Sequence, residues 1–103
     1  MKILKFYKQN CDPCDQIESN LQYVSTKFNI PIEYVDNTVL TELAAFYGIT
    51  ENPTIVLIDG DRWTWCSGMT IIEDDNGDKT LSPMTIENFT KYVTNFYNIE
   101  EAI

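Results

Sequence analysis

Histidine is absent from this chain, basic residues are few, and no long hydrophobic run occurs. The 103 residues include seven Lys and Arg against sixteen Asp and Glu, a formal net charge of −9. This excess of negative charge opposes binding to nucleic acid or to anionic membrane surfaces, and it favours partners with a basic or apolar face. No segment approaches the roughly 18 apolar residues of a membrane span, and the N-terminus shows no signal-peptide core. We therefore expect a cytoplasmic protein with no nucleic-acid and no membrane partner.

The chain is short and contains only three cysteines, which limits its architecture. With 103 residues, 44% of them hydrophobic, it has material for one core and no room for a second of ordinary size. Three cysteines without a secretory segment argue against a framework of structural disulfides. We expect a single domain over residues 1–103 that acts as a monomer, in which at least two thiols serve chemistry.

Two of the cysteines stand three residues apart in the sequence Cys11-Asp12-Pro13-Cys14, ahead of an amphipathic helical pattern. On a first helical turn this spacing places the Cβ atoms roughly 5 to 6 Å apart, close enough to form and break a disulfide. Free N–H groups and the positive end of the helix dipole stabilise a thiolate at Cys11. We expect Cys11 to attack a substrate disulfide and Cys14 to resolve the mixed disulfide, with Pro13 presetting the first turn.

Metal binding is an alternative interpretation of the cysteine pair, because the same spacing supplies half of many zinc sites. A structural zinc site needs about four ligands, whereas this chain offers no histidine and one further cysteine, Cys66. Two incidental buried thiols are a second alternative, and Asp12 and Pro13 make a poor core segment for it. We expect redox chemistry, with no metal and no bound cofactor.

Predicted strands and helices alternate along the chain with short connections. Hydrophobic patterning predicts a strand at 3–7, a helix at 15–28, a strand at 32–35, a helix from about 39, a strand at 55–58, an antiparallel partner at 62–69 and a helix from 86. The turn from Asp75 to Asp78 predicts an inserted loop or small hairpin at about 70–83. Leu40 is predicted on the inner face of the second helix, Gly48 as its left-handed C-terminal cap, and Thr85 as the N-cap of the last helix. The order β-α-β-α-β-β-α predicts an α/β fold with a four-stranded mixed sheet flanked by three helices.

A second motif, Asn52-Pro53-Thr54, precedes the third strand, and with the cysteine pair it makes the chain resemble the thioredoxin and glutaredoxin superfamily. The similarity covers nearly the whole length and implies the thioredoxin-like fold. In that family the proline is cis and packs against the redox cysteines, and the residue before it holds the substrate as an added strand. The resemblance implies these roles for Pro53 and Asn52. Gly68 resembles the family glycine at the edge of the same groove.

The chain departs from the thioredoxin pattern at several positions. Asn10 stands where thioredoxins usually carry tryptophan, Asp12 replaces a common glycine, and Lys5 aligns with a buried carboxylate. The chain starts at the strand that leads into the cysteines, so we expect the shorter, glutaredoxin-like core. Glutaredoxins usually carry an aromatic residue beside the second cysteine, where this chain has Pro13.

The resemblance implies a thiol–disulfide oxidoreductase that reduces disulfides in protein substrates and donates electrons to an enzyme such as ribonucleotide reductase. A thioredoxin-reductase-like donor or glutathione would recharge it. The alternatives are a glutathione-dependent or iron–sulfur-binding glutaredoxin relative, and a binding subunit that does not need its dithiol. The expected site consists of catalytic Cys11 and Cys14 and of substrate-binding Asn10, Asp12, Pro13, Asn52, Pro53 and Gly68.

Three other features have plainer interpretations. Cys66 alternates with Trp63 and Trp65 along a predicted strand, so we expect it on the opposite sheet face as a buried structural thiol, with a regulatory thiol as the alternative. We expect the tryptophans to cover a sheet face beneath the inserted loop, with partner binding as the alternative. The acidic residues at 73–78 lack the spacing of a calcium loop and indicate a solvated turn.

Overall fold

The computed structural model describes residues 1–39, 41–51 and 53–100. In chain order, the helices and strands are β1 Lys2–Tyr7, α1 Asp12–Gln16, α2 Glu18–Phe28, β2 Ile32–Asp36, α3 Thr41–Tyr47, β3 Thr54–Asp59, β4 Arg62–Cys66, β5 Met69–Glu73, β6 Lys79–Pro83 and α4 Ile86–Tyr97. None of these helices is long and apolar enough to cross a membrane.

Strands β1 to β4 form a mixed sheet in the order β2-β1-β3-β4. β1 runs parallel to β2, because a helical crossover connects them, and antiparallel to β3. β3 and β4 form an antiparallel hairpin that leaves β4 at the edge of the sheet. The predicted α/β fold, with a four-stranded mixed sheet between helices, is confirmed.

The sheet is covered on both faces, which explains why β3 is a continuous apolar run. Ile3, Ile55 and Leu57 face α2 and α4, where they pack against Leu21, Val24, Phe89 and Val93. The alternate residues of the same strands face α3 on the other side, and this second cluster contains Leu4, Phe6, Val35, Ala44 and Val56. The cysteine pair, on the crossover from β1 to β2, therefore belongs to the α2 and α4 side.

The first predicted helix is broken in its middle. It begins at Asp12, ahead of the apolar pattern from Asp15, so the cysteine pair occupies its first turn as expected, and Ile17, with φ −84° and ψ −6°, separates α1 from α2. The break was not predicted because Ile17 keeps the apolar spacing of Leu21 and Val24, and all three side chains are buried. Periodicity thus reports burial here and not the continuity of the hydrogen bonding.

The strand predicted over 62–69 is wrong at its end. β4 stops at Cys66, Gly68 adopts a φ of +74°, and Met69 begins β5, which pairs with β6 in a separate two-stranded sheet. Glycine adopts a positive φ without strain, so the chain can turn out of the first sheet at Gly68. The chain returns at Met84, whose N–H donates to the Gly68 carbonyl at 2.9 Å. Residues 69–83 therefore form a hairpin, the β5–β6 hairpin, with both ends anchored at Gly68.

Local signals at the other helix ends agree with the structure. Gly48, directly after α3, has the left-handed φ of +70° that the sequence indicates. The Thr85 hydroxyl accepts the N–H of Asn88 at 3.1 Å and caps α4. α3 begins at Thr41, and the preceding Leu40, predicted on its inner face, lies outside the described residues.

Candidate redox site

Cys11 and Cys14 form a disulfide at the start of α1, with their Cα atoms 5.2 Å apart. Cys11 is the N-cap of the helix, in an extended conformation, and its sulfur accepts the N–H of Cys14 at 3.2 Å. Asn10 turns the chain into this position with a φ of +58°, a conformation that asparagine tolerates better than most residues. A thiolate formed at Cys11 would keep the same N–H donor, which favours its charged form.

The surroundings of the disulfide differ from one residue to the next. Cys11 is 6% exposed and Cys14 3% exposed, so Cys14 is covered slightly more. Asp12 is exposed between them, and Pro13 is half-buried at the second position of the helix. Which sulfur attacks and which resolves stays a prediction.

Pro53 lies at the end of the sheet that carries the disulfide. It is buried at the start of β3, and since Phe6 pairs with Thr54, it sits beside the end of β1 that leads into Cys11. Asn52 lies outside the described residues, and so does the peptide bond that joins it to Pro53. The cis bond and the substrate-holding role of Asn52 stay predictions.

Gly68 packs directly against the helix that carries the cysteines. A Cβ atom placed on Gly68 would lie 2.9 Å from Cδ1 of Ile55 and 3.3 Å from Cγ2 of Ile17. Ile17 is the residue at the break between α1 and α2, three positions after Cys14. The structure thus brings Gly68, Pro53 and the cysteine pair to one end of the sheet.

A groove adjoins Pro53 and Gly68 on the α3 side of the sheet. The loop of residues 48–51 forms one wall, and Thr54, Trp65 and Ser67 line the rest. Trp65 is 55% exposed and offers an aromatic surface beside the strand ends. The sequence indicates a binding role for Trp65 only as an alternative, because its place in the groove depends on the loop after α3.

Lys5 is buried beneath the start of α2, and its ammonium is neutralised by Glu18. Lys5 is 4% exposed, and its Nζ lies 2.5 Å from Oε2 of Glu18. Oε1 of the same carboxylate accepts hydrogen bonds from the Tyr34 hydroxyl at 2.5 Å and from Gln22 at 3.1 Å. An ion pair therefore occupies the position where the resemblance to thioredoxins aligns Lys5 with a buried carboxylate.

The hydrogen bonds to Glu18 determine its titration. Burial acts to raise the pKa of this carboxyl, but the hydrogen bonds from Lys5, Tyr34 and Gln22 outweigh it and hold the pKa below its ordinary value. The phenol of Tyr34 responds in the opposite direction, since burial and the neighbouring carboxylate raise its pKa. The carboxylate therefore stays charged at neutral pH.

Cys66 lies on the same sheet face as this ion pair and is half-buried, not fully buried as predicted. The difference arises because β4 is an edge strand, which the sequence does not reveal. Burial raises the pKa of the Cys66 thiol, and hydrogen bonds with Gly68 and Tyr92 offset only part of the rise. A thiol that resists ionisation is a weak nucleophile, consistent with the structural interpretation.

Trp63 and Trp65 lie on the face opposite Cys66, as the alternation predicts, but they are not beneath the inserted segment. The Trp63 ring meets the Tyr47 ring of α3 edge-on at 5.0 Å and is 42% exposed. The β5–β6 hairpin contacts α1, on the other side of the sheet. The prediction was wrong because the turn at Gly68 directs the hairpin toward the cysteines.

Within the described residues, no group of three or more Cys, Asp or Glu side chains is arranged to hold a metal ion. At the hairpin tip, an acidic side chain stabilises a turn instead. The Asp74 carboxylate accepts the N–H groups of Asn76 and Asp78, both at 2.9 Å. The exposed tip fits the solvated turn that its spacing indicates.

A mixed sheet whose first strand leads into a disulfide at a helix N-terminus defines the class of thioredoxin-fold proteins. The chain belongs to the thioredoxin family, because the family model Thioredoxin matches residues 1–75. A relative in Bacillus subtilis, the SPbeta prophage-derived thioredoxin-like protein YosR, is 34% identical over 58 residues, which are 56% of this chain and 68% of the relative. Family membership and the cysteine pair together assign thiol–disulfide oxidoreductase chemistry to the chain.

Solved thioredoxins share the fold at low sequence identity. Thioredoxin 1 from Thermosipho africanus aligns with a TM-score of 0.67 at 17% identity, over 95% of this chain and 96% of that one. A mutant thioredoxin from Halobacterium salinarum aligns with a TM-score of 0.69 at 15% identity, over 97% of this chain and 77% of that one. At such identities the likeness concerns the fold alone.

Proposed function

We propose that this protein reduces disulfides in protein substrates. The observation that supports the proposal best is the position of Cys11, whose sulfur caps α1 and accepts the Cys14 N–H at 3.2 Å. In the reduced protein this environment favours the Cys11 thiolate, the species that attacks disulfides. The sulfur of Cys14 lies within bonding reach of the Cys11 sulfur, so Cys14 would complete the exchange.

The cycle has two exchange steps. The Cys11 thiolate attacks one sulfur of the substrate disulfide, forms a mixed disulfide and expels the other substrate sulfur as a thiolate, which takes up a proton. Cys14 then loses its proton and attacks the Cys11 sulfur, which releases the second substrate thiol and restores the Cys11–Cys14 disulfide. Two electrons pass to the substrate, and an external reductant returns the pair to the dithiol.

The proposed substrate surface lies at the end of the sheet that carries the disulfide. Asn10, Asp12 and Pro13 form the rim beside the cysteines, while Asn52, Pro53 and Gly68 would hold an extended segment of the substrate through its backbone. Backbone pairing requires no particular side chains, so one surface serves several protein disulfides. The groove beside Trp65 adds an apolar wall to this surface.

We propose that the protein works as a monomeric single domain in the cytoplasm, where the reducing environment sets the direction of exchange. Its donor would be a thioredoxin-reductase-like enzyme or glutathione. Its acceptors would include an electron-requiring enzyme such as ribonucleotide reductase.

Reduction of insulin disulfides tests the proposal. The wild-type protein is expected to reduce insulin with NADPH and a thioredoxin reductase, and the Cys11→Ser, Cys14→Ser protein is expected to be inactive. Turnover with glutathione alone would favour the glutaredoxin alternative. A double-serine protein that keeps its full physiological function would contradict the proposal and favour a binding subunit.

A further inference from the structure

The β5–β6 hairpin carries an exposed apolar surface that its own fold leaves uncovered. Ile71 and Leu81 face each other across the two strands and are 65% and 63% exposed. Ile and Leu side chains in register on an antiparallel pair form a continuous apolar surface. Adjacent exposed apolar side chains of this kind commonly mark interaction sites.

The hairpin face that carries this pair is anchored at its base beside the cysteine-bearing helix. Side chains alternate along a strand, so Met69, Ile71 and Leu81 lie on one face with Pro83. At the base of the hairpin Met69 packs against the core cluster that contains Ile17. β6 also contacts α1, the helix of the cysteine pair. The exposed pair is therefore the next cross-strand pair on this face after Met69 and Pro83, at the base of the hairpin.

The edges of this surface are acidic. Along the hairpin turn, Glu73 is paired across the strands with Lys79, which leaves Asp74, Asp75 and Asp78 in excess. The first turn of α1, the helix that β6 contacts, also carries Asp12 and Asp15. A partner that covers the apolar pair therefore approaches a part of the molecule with an excess of negative charge, at the hairpin turn and on α1.

We propose that the β5–β6 hairpin is a substrate-selecting arm, which docks disulfide-bearing proteins that carry a large apolar residue flanked by Lys or Arg next to the disulfide. The proposal rests on the proposed function, since it names the substrate class of the same redox site. The apolar side chain lies across Ile71 and Leu81, and the basic residues approach Asp75 and Asp78. Charge complementarity then selects substrates that the backbone groove alone would not distinguish.

A second copy of the chain is disfavoured as the occupant of this surface. Each copy has a net charge of −9, and two hairpins placed face to face would bring their acidic turns together. A substrate segment with basic and apolar residues is attracted to the acidic turn, whereas a second copy is repelled by it.

The experiment uses two cyclic disulfide peptides of the same ring size, one with Leu and Lys beside the disulfide and one with Ser and Glu. The pre-reduced protein is mixed with each peptide, and the second-order rate constant of a single turnover is measured. A small neutral disulfide, bis(2-hydroxyethyl) disulfide, reports whether the dithiol chemistry and the fold are intact. The single turnover leaves the recharging reductase out of the measurement.

Two pairs of variants separate the apolar and the charge contributions. Ile71→Ser with Leu81→Ser removes the apolar pair, and Val39→Ser with Phe46→Ser is its control, since those residues are 71% and 72% exposed on the α3 side. Asp75→Asn with Asp78→Asn removes charge and spares Asp74, which holds the turn. Glu42→Gln with Asp61→Asn removes the same charge from exposed positions elsewhere.

Wild-type protein is expected to reduce the Leu and Lys peptide about tenfold faster than the Ser and Glu peptide. Ile71→Ser with Leu81→Ser should lose most of that preference. Asp75→Asn with Asp78→Asn should lose only the part of the preference that decreases when salt is added. Both controls should keep the preference, and all variants should reduce the small disulfide at the wild-type rate.

Equal rates for wild type and the hairpin variants on both peptides would overturn the arm and leave the proposed function standing. Wild-type protein that reduces the small disulfide but neither peptide nor insulin would overturn the proposed function itself. A wild-type dimer in sedimentation that Ile71→Ser with Leu81→Ser converts to a monomer would show that a second copy covers the surface, and would also overturn the arm.

Discussion

At the scale of single residues, the Cys11 sulfur has two structural roles. It forms half of the disulfide, and it caps α1 through the Cys14 N–H. The capping geometry uses an N–H that the helix itself cannot satisfy, so a thiolate at this point gains a hydrogen bond without losing one elsewhere. This asymmetry between the two sulfurs is the physical basis for assigning attack to Cys11.

A trapping experiment tests that assignment. Cys14→Ser should accumulate mixed disulfides with partner proteins, because the resolving thiol is missing, whereas Cys11→Ser should capture almost none. The adducts can be counted on non-reducing gels and identified by mass spectrometry. Equal trapping by the two variants would contradict the roles proposed for these sulfurs.

Gly68 is the residue at which a single methyl group should disturb the site. Gly68→Ala combines a φ of +74° with a Cβ only 2.9 Å from Ile55 and 3.3 Å from Ile17. We expect a loss of about 2 to 3 kcal/mol in the free energy of unfolding, and a fall in insulin reduction as Ile17 and α1 shift.

Gly60→Ala is the matched control for Gly68→Ala. Gly60 has a φ of +62°, but a Cβ there would meet no atom of the described residues within 4 Å. This variant should lose about 1 kcal/mol in chemical denaturation and keep its activity. If both variants lost the same stability and the same activity, close packing of Gly68 on Ile17 would have no functional importance.

At the scale of elements, the Lys5 and Glu18 pair connects the sheet to α2. Lys5 comes from the central strand β1, Glu18 from the first turn of α2, and Tyr34 from β2 adds a third element through its hydroxyl. Glu18→Gln should reduce the free energy of unfolding by about 2 kcal/mol, because it leaves the buried ammonium without a counter-charge. The partial exposure of Glu18 keeps the effect below that of a fully buried pair.

The pH dependence of unfolding provides an independent measurement of the same pair. The pKa of Glu18 is lowered from 4.5 in the folded protein, so its stabilisation is complete above that pH and is lost as the pH falls through the folded-state value. Urea denaturation between about pH 3 and pH 6 should therefore show a shallower acid dependence in Glu18→Gln than in wild type. Replacing both partners, Lys5→Met with Glu18→Leu, should recover much of the lost stability. Parallel curves for wild type and Glu18→Gln would contradict the assignment.

At the scale of the whole molecule, Tyr97 joins the end of the fold to its beginning. Its hydroxyl donates to the Lys2 carbonyl at 2.6 Å and accepts the Ile58 N–H at 3.1 Å, so α4 is tied to β1 and β3. Tyr97→Phe should cost about 1 to 2 kcal/mol in the free energy of unfolding, because two partly buried backbone groups lose their partner.

Tyr97 should also set an alkaline limit to stability. Burial raises its pKa to about 12, and the hydrogen bonds with Ile58 and Lys2 offset only part of that rise. The folded state thus holds the proton more tightly than the unfolded state, so this stabilisation is present below pH 10 and is lost as the pH rises toward 12. Thermal unfolding from pH 8 to 11 should decline less steeply in Tyr97→Phe than in wild type, and equal slopes would contradict the prediction.

Features that depend on near neighbours in the chain were predicted from the sequence. The Cys11 and Cys14 spacing, the cap at Thr85 and the left-handed Gly48 each involve groups within a few residues of one another. The order of strands and helices belongs to the same group, because period-2 and period-3.6 patterns are properties of short segments. The net charge also belongs to this group, because it is a sum over residue types.

Only the tertiary structure decided the features that join distant segments. The break at Ile17, the end of β4 at Cys66 and the hairpin's approach to α1 depend on how Gly68 packs against the helix. Lys5 acquires Glu18 as its partner because β1 and α2 lie face to face, although no sequence spacing relates them. The sequence by itself determined which local structures form and what chemistry the two cysteines can do. Packing decided which of those structures meet, because the free energy of burial depends on contacts between residues that are far apart in the chain.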